Sequence, residues 1–167
     1  MKTNRAKILS VGKIKSLFSY EDGYLVRIKN VSSRARIGGV AGTLNKRGYL
    51  QVRIEGRIFL VHRLIFAYHK NYFPEFIDHI DGNPLNNKIE NLRACTKNEN
   101  CRNSKTPMTN KSGVKGVHWC KNRNKWVSQI WVNNRPISLG GFDDLSEAEE
   151  IVRQARKLHH GEFCNHG

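Results

Sequence analysis

The sequence predicts an α+β protein that is built from several small structural units. Short stretches that alternate apolar and polar residues indicate β-strands near both ends of the chain. Two later segments begin with the residue pattern of a helix capping box. The 167 residues include 38% hydrophobic side chains, which is enough for small cores. We therefore expect an N-terminal small β region, a central mixed segment, and a C-terminal three-stranded antiparallel sheet packed on one helix.

We predict four segments along the chain: a basic β-rich N-terminal region at 1–60, a central segment at 61–105, a linker at 106–111 and a C-terminal module at 112–167. The linker is placed where the run "SKTPMTNKS" is polar and lacks any apolar period. It contains Pro107, which disfavours a continuous helix there.

Two alternating stretches predict strands in the N-terminal region, "GYLVRIK" (23–29) and "GYLQVRIEGRIFLV" (48–61). The second is interrupted by Glu55-Gly56, a pair that suits a tight hairpin turn. The following stretch "HRLIFAYHK" places Leu64, Ile65 and Tyr68 at helical spacing. It predicts a short helix over 62–70, which Pro74 ends.

The charge of the chain narrows the class of partner. Lys and Arg number 29 against 14 Asp and Glu, which gives a net charge of +15 and indicates a polyanionic partner such as nucleic acid. A membrane is disfavoured, because no run of about 18 apolar residues and no basic helix with an aromatic face is present. The N-terminal "MKTNRAKILSVGKIKSLF" lacks the continuous apolar stretch of a secretory signal. We expect a cytoplasmic protein, in the host cytoplasm if a phage encodes it.

The cysteines predict neither a metal site nor a disulfide framework. Cys95, Cys101, Cys120 and Cys164 form no Cys-x-x-Cys pair. Structural zinc sites and small oxidised scaffolds have tighter spacing, so we expect reduced and mostly packed thiols.

The central segment contains the stretch "FIDHIDGNPLNNKIENLR" (76–93), in which an Asp-His pair precedes a turn-rich run dense in asparagine. A phosphodiester resists hydrolysis because its negative charge repels nucleophiles, so a nuclease needs a divalent cation and a group that activates water. Asp78 offers an anionic oxygen for Mg²⁺ or Mn²⁺, and the imidazole of His79 can take a proton from water. Downstream, Thr96 and Glu99 form a capping box that predicts the start of a helix.

This stretch, followed by "TKNEN", closely resembles the HNH endonucleases, whose ββα-metal site is a β-hairpin and a helix that grip one metal ion. The resemblance implies that Asp78 binds the metal, that His79 is the general base and that the Asn91 amide holds the loop. It implies Asn100 as the second metal ligand, where many members have His and the phage and intron-encoded branch has Asn. Asn103 is the alternative ligand. The implied cofactor is Mg²⁺ or Mn²⁺.

Other polar residues are assigned structural roles. Four are expected only to cap and turn the backbone: Asp81, Asn83, Asn86 and Asn87. His62 is expected to pack or to form a hydrogen bond, with a phosphate contact or support of the metal-binding helix as the alternative. The remaining helix and tail histidines are expected to be solvated or packed: His69, His159, His160 and His166.

The C-terminal module is predicted to contain three strands within 112–142, with turns at "KNRN" and "NN", followed by one helix. Ser146 and Glu149 form a second capping box, and Gly161 ends the helix. The apolar stripe of this helix consists of Ala148, Ile151, Val152, Ala155 and Leu158. Alternation in the middle strand places Lys125, Val127, Gln129 and Trp131 on the face away from the helix.

Residues 112–163 resemble the APETALA-type DNA-binding domain of plant ethylene-response factors through "GVHW", "KW", "LGGF" and "HGEF". A three-stranded sheet is about as wide as the major groove of B-DNA. The resemblance implies contacts to double-stranded DNA from seven residues: His118, Lys121, Arg123, Lys125, Gln129, Trp131 and Arg135. Several arginines of the plant domains are replaced, so their sequence preference does not transfer. Trp119 and Trp126 are expected in the core.

These patterns predict a site-specific, metal-dependent DNA endonuclease of the homing type that nicks duplex DNA, as a monomer or alternatively as a dimer. Four basic residues of the N-terminal region are expected to hold phosphates that flank the cut: Lys46, Arg47, Arg53 and Arg57. The alternative is a sequence-specific DNA-binding regulator with a catalytically silent HNH scaffold. An RNA nuclease is disfavoured, because the deep groove of A-form RNA is closed to a sheet.

Overall fold

The computed structural model describes residues 9–30, 35–104, 106 and 108–165. The chain is a mixture of helices and sheets, which confirms the predicted class. The predictions that involve residues 1–8, Pro107 and His166 lie outside the described residues.

The chain divides into two compact units, Met1–Ala94 and Cys95–Gly167. This boundary falls inside the predicted central segment 61–105 and not at the predicted linker 106–111. Asp78, His79 and Asn91 belong to the first unit, whereas Asn100 belongs to the second.

The first unit combines helices with short strands. Its elements in chain order are α1 (Val11–Leu17), β1 (Phe18–Glu21), β2 (Tyr24–Arg27), β3 (Thr43–Leu44), β4 (Leu50–Ile54), β5 (Arg57–Leu60), α2 (Val61–Lys70), β6 (Phe76–His79), a 3-10 turn (Ile89–Asn91) and β7 (Leu92–Cys95). β1 pairs with β2, and β4 pairs with both β3 and β5, all antiparallel. β6 and β7 form a separate two-stranded sheet.

Helix α2 provides the centre of the core of the first unit. Its Leu64 and Ile65 are fully buried, as the helical spacing predicts. Ile77 of β6 and Leu92 of β7 are buried in the same cluster. Full burial of such a side chain contributes about 1.5–3 kcal/mol, so the core anchors the two strands that carry the Asp-His pair.

One local feature of the first unit follows the sequence and two differ from it. The hairpin turn between β4 and β5 has Glu55 and Gly56 at φ of 48° and 78°, as their identity predicts. Helix α1 was not predicted, and its N-cap is Ser10, whose hydroxyl accepts the Lys13 N–H. Helix α2 ends before Pro74, because Asn71 adopts a left-handed conformation with φ of 61° and donates its N–H to the Ala67 carbonyl.

The second unit contains α3 (Lys97–Asn103), β8 (Val117–Cys120), β9 (Lys125–Val132), β10 (Arg135–Phe142), α4 (Leu145–His160) and a 3-10 turn (Gly161–Phe163). Its strands form an antiparallel sheet in the order β10-β9-β8. Helix α4 packs on one face of this sheet, where the buried Ser128 hydroxyl donates to the Ala148 carbonyl at 3.0 Å. Val117, Ile130 and Val152 are buried in the core between them.

The two predicted capping boxes have different outcomes. The Thr96–Glu99 box is present in full at the start of α3. The Ser146–Glu149 box is wrong, because the N-cap of α4 is Asp144, whose carboxylate accepts the N–H groups of Ser146 and Glu147. These hydrogen bonds lower the pKa of Asp144.

The predicted apolar stripe of α4 is corrected at its C-terminal end. Ala148 and Val152 are fully buried, but Leu158 is 79% exposed. Arg156 is buried in its place. The spacing explains the result, because Ala148, Val152 and Arg156 lie four residues apart on one helix face and Leu158 falls outside it.

In the described part of the chain the four cysteines form no disulfide bond; Cys101 is exposed and the other three are half-buried. None of the helices in the described part of the chain is both long and apolar enough to cross a bilayer.

Candidate active site

The loop after β6 is held together by the side chain of Asn91. Its amide nitrogen donates to Asp81 Oδ1 at 2.9 Å and to the Asn86 carbonyl at 2.8 Å. Its amide oxygen accepts the Asp81 N–H at 3.0 Å. Three contacts from one amide fix the two ends of the loop, which is the arrangement expected for the middle Asn of the motif.

Asp81 is the second organiser of this loop. Burial alone would raise the pKa of the Asp81 carboxyl, but hydrogen bonds from the Asn83 N–H and from the amides of Asn86 and Asn91 outweigh it and lower the pKa. The turn-forming roles predicted for Asp81, Asn83 and Asn86 agree with these contacts.

Asp78, the predicted metal-binding acid, is buried at the end of β6 and faces Arg93 of the neighbouring strand β7. Asp78 Oδ2 accepts from Arg93 Nε at 2.8 Å and lies 2.7 Å from Arg93 Nη2. The side chains of Arg93 and Asp78 are 15% and 6% exposed. Both guanidinium nitrogens approach the same carboxylate oxygen, so the ion pair holds Oδ2 in place.

His79, the predicted general base, is the last residue of β6 and is 6% exposed. Its Nε2 lies 3.1 Å from Asn87 Oδ1. Two other rings approach it, since the centroid of His62 lies 5.0 Å away at 73° and that of Tyr49 lies 6.0 Å away. The imidazole is therefore positioned by one polar contact and two aromatic contacts.

His62, the second residue of α2, is buried against His79. Burial, together with the charges of His79 and Arg63, lowers the pKa of His62 from 6.5 to about 3. The ring is therefore uncharged at neutral pH. The prediction that His62 packs is consistent with this position, but its partner is the predicted base itself.

The donor atoms of the first unit fit a hard divalent cation with few protein ligands. Mg²⁺ keeps several waters and often takes only one or two carboxylates from the protein. Asp78 supplies a carboxylate beside His79, and the ion pair with Arg93 engages one of its two oxygens. The described residues contain no cluster of three or more His, Cys, Asp or Glu side chains suited to a metal.

The two asparagines predicted to complete the metal site lie on α3 in the second unit. Asn100 is exposed on this helix. Asn103 is buried, and its carbonyl accepts from the Asn165 side chain at 2.7 Å. The role of either residue as a metal ligand stays a prediction from the motif.

Two contacts of this site were missed from the sequence. Asn87 was expected only to turn the backbone, but it is buried and contacts His79, so that expectation is wrong. No role is predicted for Arg93 from the sequence. Its position on β7, beside β6, brings it to Asp78. Both contacts lie within the stretch 76–93, but residue spacing alone does not reveal how the loop folds back on His79 or that β7 lies beside β6.

The outer face of the second unit's sheet carries most of the residues predicted to contact DNA. Gln129 and Trp131 lie on the face of β9 opposite to buried Ser128 and Ile130, as the alternation predicts. His118 pairs with Val127 and shares that outer face. Lys121 and Arg123 are exposed in the turn between β8 and β9.

Three residues of this unit differ from expectation. Arg135 pairs with Val132, so the register places it on the helix-facing side and not with Gln129. Lys125 forms an ion pair with Asp143 at 2.8 Å, which lowers the net charge of the face. Trp119 is 41% exposed and not in the core, because it lies on the edge strand β8 and meets Trp126 only edge-on at 5.1 Å.

The basic residues predicted to flank the cut are exposed in the first unit. Lys46 and Arg47 lie in the turn before β4, and Arg53 and Arg57 lie on β4 and β5. Arg53 Nη1 donates to the Gly56 carbonyl at 3.2 Å. Their contact with phosphate stays a prediction.

Comparison with known proteins gives the following matches. Residues 59–102 match the family described as HNH endonuclease. The chain is 42% identical over 89 residues to protein 3.8 of Escherichia phage T7, which covers 53% of this chain and 73% of that protein. It is 42% identical over 55 residues to the "SPbeta prophage-derived putative HNH homing endonuclease YosQ" of Bacillus subtilis strain 168, which covers 32% of each chain. No solved structure matches the chain.

Proposed function

Because the chain belongs to the same family as protein 3.8 of Escherichia phage T7 and contains an HNH endonuclease domain, we propose that it is a divalent-metal-dependent endonuclease that hydrolyses duplex DNA. The observation that supports this function best is the environment of His79. His79 lies at the end of a strand beside the buried Asp78 carboxylate. The Asn87 amide and the uncharged His62 ring hold it in place. That arrangement suits a base that must take one proton from water.

We propose that the contact with Asn87 selects the tautomer of His79. An amide oxygen can only accept a hydrogen bond, so the neutral imidazole carries its proton on Nε2. Nδ1 is then the basic nitrogen and takes the proton from the attacking water. The edge of the uncharged His62 ring adds no positive charge that would oppose formation of the imidazolium.

Asp78 and the predicted ligand Asn100 would hold the cation. A bound Mg²⁺ or Mn²⁺ supplies stabilisation of the negative charge that develops on the phosphate and the leaving oxygen. Arg93 orients the Asp78 carboxylate through its two-nitrogen contact. Asn91 closes the loop that follows His79 and so fixes the end of β6.

The charge of the chain and the C-terminal sheet support DNA as the substrate. A net charge of +15 favours a polyanion, and the outer face of the sheet presents Gln129 and Trp131 beside exposed basic turns. We propose that this sheet reads the target in the manner of an APETALA-type domain. The name of the Bacillus subtilis relative is consistent with a homing type. We also propose that the protein acts in the cytoplasm.

The test is cleavage of supercoiled plasmid that carries a library of genomic inserts, with Mg²⁺, Mn²⁺ or EDTA. We expect metal-dependent nicking, and a loss of about 10²–10⁴-fold in rate for His79→Ala, which is the usual contribution of a general base. Asn100→Ala should lower the rate and raise the metal concentration needed for half-maximal activity. His159→Ala removes an exposed imidazole from α4 and is the matched control.

The outcome that contradicts the proposal is DNA binding without cleavage under every metal. That result would leave a DNA-binding regulator. Cleavage that His79→Ala does not change would show that His79 is not the base.

A further inference from the structure

A cavity of about 440 Å³ lies entirely within the second unit. β8 pairs with β9 only from Lys125 to Ser128, so the next part of β9 extends beyond its neighbour. The cavity forms beside this unpaired edge, against residues of α3 and the C-terminal half of α4. It therefore does not depend on the residues of the proposed active site.

The lining of the cavity is strongly basic. Four basic side chains border it: Arg102 of α3, Lys115 of the loop before β8, and Arg156 and His160 of α4. None of the described residues that line it is acidic. A cavity with several cations and no carboxylate matches an anionic ligand in charge.

The two most buried cations are held by neutral backbone groups. Lys115 Nζ donates to the carbonyls of Arg102 and Ser104, the first of them at 2.7 Å. Arg156, which is 3% exposed, donates to the carbonyls of Lys115 and Asn165. These contacts fix both side chains in place but do not neutralise their charges.

The charges in the cavity act on one another. Burial and the neighbouring Arg156 lower the pKa of Lys115 to about 8. Burial and the charges of Arg102, Arg156 and Lys115 lower the pKa of His160. The hydrogen bond between His160 and the Trp131 carbonyl raises this pKa but does not outweigh them. Like charges around one space oppose each other, so an anion placed there would offset their repulsion.

The guanidinium group of Arg102 indicates that the anion is a phosphate. The contact with Lys115 uses its backbone carbonyl, and its guanidinium forms no hydrogen bond or ion pair with any described residue. Guanidinium groups match phosphate with two parallel donors. Trp131, whose indole is 57% exposed at the same cavity, offers a stacking surface beside it.

We propose that this cavity is a phosphate-binding site that takes a backbone phosphate of nucleic acid, with Arg102 as its main ligand. The assignment of nucleic acid as the source of the phosphate rests on the proposed function. The site itself requires neither the metal nor His79. Its role is to hold the DNA strand at the second unit without reading its sequence.

The first measurement is DNA binding by the full chain in EDTA, at several salt concentrations. Arg102→Gln should weaken binding severalfold, and the slope of log affinity against log salt should fall by about one, because one phosphate contact is lost. Arg153→Gln removes the same charge from the solvent-facing side of α4, where Arg153 pairs with Glu149, and is the matched control. If both variants bind DNA alike, the proposal is overturned.

The second measurement needs no variant. The imidazole of His160 is titrated by NMR in the wild-type chain, alone, with inorganic phosphate, and with duplex DNA. An anion in the cavity offsets the three cations, so the pKa of His160 should rise with both ligands. A rise with inorganic phosphate but not with DNA would assign the cavity to free phosphates and overturn the nucleic acid assignment.

These binding results are independent of cleavage. If the chain binds DNA through Arg102 but cuts nothing, the proposed nuclease function fails and the phosphate site stands. If the chain cuts DNA but Arg102→Gln binds DNA as the control does, the phosphate site fails and the nuclease function stands.

Discussion

The groups around His79 place its ring within the fold. The Asn87 amide faces one nitrogen, and the rings of His62 and Tyr49 pack against it. His62 stays uncharged because burial lowers its pKa to about 3. A buried neutral ring of this kind supports a neighbouring base, since a positively charged side chain at the same place would disfavour the imidazolium.

The uncharged state of His62 predicts a pH dependence of stability. Its pKa falls from 6.5 to about 3 on folding, so the unfolded chain binds more protons between these values. The free energy of unfolding therefore falls as pH falls from 6.5 towards 3. Between about pH 7 and pH 5, the wild type should lose about 2 kcal/mol more than His62→Phe, at about 1.4 kcal/mol per pH unit.

The measurement is urea unfolding of both proteins, followed through the NMR amide signals of α2 in the first unit. Phe keeps an aromatic ring in the core but does not titrate. An equal loss of stability in the two proteins over this pH range would show that His62 is not held uncharged by the fold.

Helix α3 shows how an element of seven residues is stabilised at its start. So short a helix is marginal by itself, because nucleation costs more than a few hydrogen bonds return. The capping box gives it two further contacts, with the Thr96 hydroxyl bound to the Glu99 N–H and the Glu99 carboxylate bound to the Thr96 N–H. Lys115 binds carbonyls at the other end of the helix. The order of Asn100 depends on both ends.

Removal of the cap tests this dependence. Thr96→Ala should destabilise the second unit by about 1 kcal/mol, the usual cost of a lost N-cap, whereas Thr96→Ser keeps the hydroxyl and should stay within about 0.5 kcal/mol of the wild type. Urea unfolding followed by circular dichroism measures the change. A Thr96→Ser variant as unstable as Thr96→Ala would mean that the methyl group and not the cap stabilises the helix.

At the scale of the whole molecule, the proposed base and the proposed phosphate cavity belong to different units. The base and its supporting residues are in the first, and the phosphate cavity and the outer sheet face are in the second. Both units carry exposed basic residues, in keeping with a net charge of +15.

The described residues contain one Asp-His pair of this kind, at Asp78 and His79, so a monomer should cut one strand at a time. We expect supercoiled plasmid to become nicked circles first, with linear product appearing later and rising more steeply with enzyme concentration. A time course at several enzyme concentrations, resolved on agarose gels, measures both. Linear product that forms at once, without a nicked intermediate, would indicate two active sites acting together.

Local sequence signals anticipated the parts of this structure that depend on neighbours along the chain. The hairpin at Glu55-Gly56, the cap at Thr96 and the burial of Leu64 and Ile65 all follow from residue type and short spacing. The Asp-His pair and the loop-closing Asn91 were also visible within one segment. Each of these features is indicated by residue type and spacing within one short segment.

The remaining contacts arise from pairing and packing between separate helices and strands. Arg93 reaches Asp78 across two strands, and His62 reaches His79 from α2. The face of Arg135 depends on how β10 aligns with β9. The exposure of Trp119 depends on its place in an edge strand. A single sequence gives residue types for all of these but not the register that brings them together.

The division of the chain after Ala94 also separates its chromophores. The three tryptophans, Trp119, Trp126 and Trp131, all belong to the second unit. The five tyrosines all belong to the first: Tyr20, Tyr24, Tyr49, Tyr68 and Tyr72. Light that excites only indole therefore reports the second unit alone, and tyrosine emission originates in the first. One unlabelled chain thus carries an intrinsic optical reporter in each unit, and a nucleic acid that quenches one signal before the other reveals which unit it meets first.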